Sequence, residues 1–82
     1  MPIRKARRLV TLARLNAKAG RYERAAAEIE QAAAIFESNG FLQQELMAGI
    51  EGARILMQQR KYEEALKQAT GIYQKTLMAK RF

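Results

Sequence analysis

Gly20-Arg21-Tyr22-Glu23-Arg24-Ala25-Ala26 recurs as Arg60-Lys61-Tyr62-Glu63-Glu64-Ala65-Leu66, at an offset of 40 residues. At that shift Ala13/Ala53, Arg14/Arg54, Tyr22/Tyr62, Glu23/Glu63 and Ala25/Ala65 are identical. Apolar character also carries over at Val10/Ile50, Leu15/Ile55, Ile29/Ala69 and Ala32/Ile72. Matches in register across a helix, a turn and a second helix define an internal repeat.

Working outward from the repeat, each unit reads as a helical hairpin. Ile3, Ala6, Leu9, Val10, Ala13 and Ala17 form a stripe at three- and four-residue spacing, widened by Leu12 and Leu15. Gly20 supplies the backbone freedom that ends this helix. A second helix follows, with Ala25, Ala26, Ile29, Ala32, Ala33 and Phe36 on one side and Glu23 in its first turn, where an acid suits the dipole. Ser38-Asn39-Gly40 is the clearest break in the chain.

The third helix is expected to be the longest, with Leu42, Leu46, Gly49, Ile50, Ala53, Leu56 and Met57 as its stripe. Gly49 and Gly52 each cost a helix interior about 1 kcal/mol against alanine, so they are expected to admit a close neighbour. After Arg60-Lys61 the fourth helix is expected to bury Ala65, Leu66, Ala69, Ile72, Tyr73 and Leu77. Strands are not signalled, because β-branched residues never alternate with polar ones over a usable run. The expected fold is all-α, four antiparallel helices in two hairpins, a single domain over 1–82. Repeat one covers about 3–38 (helices 3–19 and 22–37) and repeat two about 40–80 (helices 41–59 and 62–79).

Composition narrows the chemistry. The chain has no cysteine and no histidine, which removes thiolate ligands, the commonest metal ligand and the best proton-transfer group near neutral pH. Its eight acids are all glutamates without a clustered ligand pattern, so neither a metal, a cofactor nor enzyme activity is expected. The net charge is +7, and it is unevenly spread. Residues 1–21 hold Arg4, Lys5, Arg7, Arg8, Arg14, Lys18 and Arg21 without an acid, and the tail from Lys67 is again basic. This asymmetry favours an acidic partner. The acid-free start is a little like a mitochondrial presequence, but the repeat already begins within it. With no membrane-length apolar stretch and no signal-peptide core, a cytoplasmic location is expected.

The small residue, Gly-x-Tyr-x-x-Ala and further small residue resemble tetratricopeptide repeats. The first unit carries Ala13, Gly20, Tyr22, Ala25 and Ala32, and the second Ala53, Tyr62, Ala65 and Ile72 with Arg60 in place of glycine. The usual period is about 34 residues, and the spacing of 40 here is similar to a longer-helix variant. The early large aromatic of each unit is replaced by Leu9 and Gly49, and neither unit closes on proline. Arrays of this kind generally need three or more units, so a homodimer, a higher oligomer or another partner is expected. The tyrosines and alanines of the motif are read as packing residues.

The resemblance implies an interaction module, an adaptor, chaperone or inhibitor, that binds a partner on a concave face lined by the first helix of each hairpin. On this chain that face presents Arg7, Val10, Arg14 and Lys18, then Met47, Ile50, Arg54 and Met57. Arginine pairs with carboxylates in a bidentate way and methionine adapts to irregular apolar shapes, so an acidic or amphipathic segment is the natural complement. The family's carboxylate clamp is not matched, since Asn16 stands alone and out of phase. Two alternatives remain open. One is a nucleic-acid-associated helical protein using Arg4, Lys5, Arg7, Arg8 and Arg81, although no aromatic lies among the N-terminal cations. The other is a self-assembling repeat unit.

Overall fold

The computed structural model describes residues 2–80, with side chains from Ile3 to Met78. Four helices follow one another: α1 (Pro2–Lys18), α2 (Tyr22–Ser38), α3 (Leu42–Gln58) and α4 (Tyr62–Lys80). They begin every 20 residues, so the 40-residue repeat contains a finer pacing of one helix and one turn. The longest helix is α4, with 19 residues against 17 for α3, because the turn after α3 takes up Gln59-Arg60-Lys61.

All three turns are built alike. Gly20, Gly40 and Arg60 occupy the left-handed region, with φ of 81°, 74° and 61°. In each turn the next amide reaches back five residues: Arg21 to the Asn16 carbonyl, Phe41 to Phe36 and Lys61 to Leu56. These are the closing bonds of a Schellman turn, which satisfy carbonyls that a helix end would otherwise orphan. Arg60 makes the same turn as the glycines despite its Cβ.

Each helix packs on its neighbour in sequence, and α1 also touches α3, whereas the backbone of α4 stays away from those of α1 and α2 among the described residues. The helices therefore form an open stack, a slab of 40 × 34 × 13 Å, rather than a closed bundle. The core is made of small residues. Among the described residues, seven of the ten buried apolar side chains are alanines, joined by Ile29, Phe36 and Ile55. Alanine lets helix axes approach closely but removes little apolar area from water.

Two helices bury a different set from the one their periodicity suggests. On α3 the buried residues are Ala48, Gly52 and Ile55, while Ile50 and Met57 are exposed. On α4, among the described residues, Ala65 alone is buried and Ile72 is half-buried, while Leu66, Tyr73 and Leu77 face solvent. Leu12 and Leu15 of α1 are exposed as well. The reason is the open stack: nothing covers its outer sides. Tyr22 packs against the core, but its repeat partner Tyr62 is 61% exposed for the same reason.

Polar side chains pin both hairpins. Asn16 Nδ2 donates to Glu28 Oε1 at 2.6 Å between α1 and α2. Between α3 and α4, Lys75 donates to Glu45, and this contact raises the Lys75 pKa above its ordinary value against a smaller opposing effect of burial.

Candidate functional site

The seam between α1 and α3 collects most of the expected binding residues. Arg7, Val10, Arg14 and Met47 line one shallow cavity there, floored by Phe36 and Ala48. Arg14, Lys18 and Arg54 line the next, beside Leu15 and Ile55. The two cavities share Thr11, Arg14 and Glu51 and so form one continuous trough. Ile50 and Met57 lie elsewhere: they line a cavity on the far side of α3, against Ala69 and Ile72 of α4, and only Arg54 and Gln58 border both regions. Val10 is half-buried and packs against the core, so it contributes floor rather than reach.

Helical spacing explains the grouping. Arg7, Arg14 and Lys18 lie at seven- and four-residue intervals on α1, close to one line down the helix. Met47, Glu51 and Arg54 lie at four- and three-residue intervals on α3 and form the facing line. The small residues Ala13, Ala17 and Ala48 beneath them let the two helices come near enough for side chains to meet across the seam.

Glu51 is the residue that composition and repeat matching pass over. Its side chain is only 13% exposed, and its Oε1 accepts from Arg14 Nη2 at 3.2 Å while Arg54 Nη1 lies 3.7 Å away. One carboxylate thus holds the two repeat-related arginines together from different helices. Each guanidinium has five N–H donors, so most of them stay free for another acceptor. A sequence signal existed, the Glu51/Arg54 pair at i,i+3, but the reach to Arg14 depends on α1 and α3 being neighbours. The trough is therefore a pair of pre-oriented guanidiniums with an apolar floor and an adaptable methionine, Met47, 58% exposed, at its edge.

Among the described residues no helix is long and apolar enough to cross a membrane. No protein-family model, curated protein or solved structure matches the chain.

Proposed function

We propose that the chain is a two-hairpin, tetratricopeptide-like interaction module whose α1–α3 trough holds an acidic, amphipathic segment of a partner protein. The observation that carries this reading is the Arg14–Glu51–Arg54 cluster above the apolar floor of the trough. Carboxylates of the partner would take the free guanidinium donors in charge-assisted bonds, and its apolar side chains would rest against Val10 and Met47. Both hairpins are needed, since Arg14 comes from one and Arg54 from the other. An adaptor, a chaperone of a helical client and an inhibitor that occupies a larger protein's binding site all use such a surface.

Fluorescence anisotropy with a labelled peptide carrying Glu and Leu at helical spacing tests the reading. Binding is expected to weaken about tenfold or more in Arg14→Ala and Arg54→Ala, the loss of one charge-assisted contact each. A duplex oligonucleotide serves as the rival ligand. Tight oligonucleotide binding that is abolished in Arg4→Ala/Arg8→Ala, with no response of the peptide to Arg14→Ala, would overturn it in favour of nucleic acid.

A further inference from the structure

The outer side of the α3–α4 hairpin repeats a surface that is covered inside the molecule. Between the hairpins, Val10, Ala13, Ala17, Ile29, Ala32 and Phe36 are buried or half-buried, closed over by Ala48 and Ile55 of α3. Forty residues on, their counterparts are Ile50, Ala53, Met57, Ala69, Ile72 and Thr76. Five of these six line one open cavity of about 520 Å³. Tyr73, beside them on α4, is 63% exposed, whereas its counterpart Ala33 packs against the core. The chain thus has a second stacking face with nothing stacked on it.

Charge and shape say what covers that face. Its centre, Ile50, Ala53, Ala69, Ile72 and Tyr73, holds no charged group, and the one cation lining the cavity, Arg54, already lies beside Glu51, so the same patch from a second copy can meet it with little like-charge repulsion. The opposite end of the stack is a poor match. Where α3 docks with Ala48, Gly52 and Ile55, α1 presents Arg8, Leu12 and Leu15. Ala48 is 1% exposed in an apolar cluster, so Arg8 at that place would carry a charge into a buried contact. Copies are therefore poorly matched to add head to tail as the two hairpins add to each other. An isologous contact closes after two copies, whereas a heterologous one would propagate into a filament.

We propose that two copies of this chain dock through their α3–α4 outer faces, around Ile50, Ala69, Ile72 and Tyr73, as a closed two-fold dimer. This site lies on the other side of α3 from the trough, and only Arg54 and Gln58 border both. Ile50 and Met57 belong to the dimer, and Arg7, Arg14 and Met47 stay open to a ligand.

Sedimentation equilibrium of the intact chain is the test, with Ala69→Lys and Leu15→Lys as exposed variants at the two ends. The wild type and Leu15→Lys are expected at twice the 9.3 kDa mass, and Ala69→Lys is expected to dissociate at least tenfold more readily, about the cost of a like-charge pair in an apolar contact. Circular dichroism verifies that the variants remain helical. Because the chain has no cysteine, Ala69→Cys and Leu15→Cys can be introduced singly and treated with a short bismaleimide. Ala69→Cys alone is expected to cross-link. A monomer at concentrations on the order of 100 µM, or a dimer indifferent to Ala69→Lys, would overturn the proposal. So would cross-linking that appears only when the two cysteine variants are mixed.

Discussion

Gln68 of α4 donates its side-chain amide to the main-chain carbonyl of Gly49 on α3 at 2.8 Å, and the same nitrogen occupies the space a Cβ on Gly52 would need. The two helical glycines thus have different duties. Gly49 exposes a carbonyl that α4 caps, and Gly52 leaves room for the side chain that caps it. Gly52 also faces Ile29 of α2, so one residue without a side chain sits where three helices meet.

Gly52→Ala is therefore expected to gain no stability, because the roughly 1 kcal/mol that alanine adds to a helix interior is offset by the loss of the Gln68 bond. The new methyl would displace Gln68 from its bond and press on Ile29. Urea denaturation followed by circular dichroism checks the sign. A stabilised Gly52→Ala would mean that α4 does not depend on the Gln68 contact.

Gly71, in the interior of α4, has nothing within 4 Å of a Cβ position. Here only helix propensity acts, and Gly71→Ala is expected to stabilise by about 1 kcal/mol in the same denaturation series. A gain at Gly71 with none at Gly52 distinguishes close approach from simple helix weakness.

Arg60 takes φ 61° in a turn whose counterparts use glycine. A left-handed residue with a Cβ costs about 1–2 kcal/mol, partly offset in the variant by the greater freedom of unfolded glycine. Arg60→Gly is expected to raise stability by up to about 1 kcal/mol, read from the denaturation midpoint. A loss would show that the Arg60 side chain makes a contribution larger than the strain.

Glu51 competes with any carboxylate that approaches Arg14 and Arg54. Glu51→Gln is expected to tighten binding of an acidic peptide a few-fold, while the exposed half of each ion pair keeps the stability change within about 1 kcal/mol. Weaker peptide binding in Glu51→Gln would show that orienting the guanidiniums outweighs freeing them.

The four helices and their three breaks were legible in the sequence, because Gly20, Ser38-Asn39-Gly40 and Arg60-Lys61 interrupt apolar patterns of helical period. What periodicity could not tell was which apolar residues find cover. Leu15 and Ile55 are repeat partners, yet Leu15 is 58% exposed and Ile55 3%. The difference lies in position within the stack: Ile55 faces another hairpin and Leu15 faces none. Ala48 and Gly52 were equally hard to see as core, since small residues give a weak hydrophobic signal where helices approach most closely. For the site, the residues that the family resemblance put on one face are divided: Arg7, Arg14, Met47 and Arg54 line one trough, while Ile50 and Met57 fall on another face. Glu51 escaped notice because its Arg14 partner stands 37 residues away.

The most direct measurement is a titration of the ¹⁵N-labelled chain with the acidic, amphipathic peptide, followed by amide chemical shifts. The largest changes are expected along the trough, at Arg7, Arg14, Met47 and Arg54, with Tyr62 to Leu77 little affected. Changes confined to the first turns of α1, or to the outer face of α4, would contradict it.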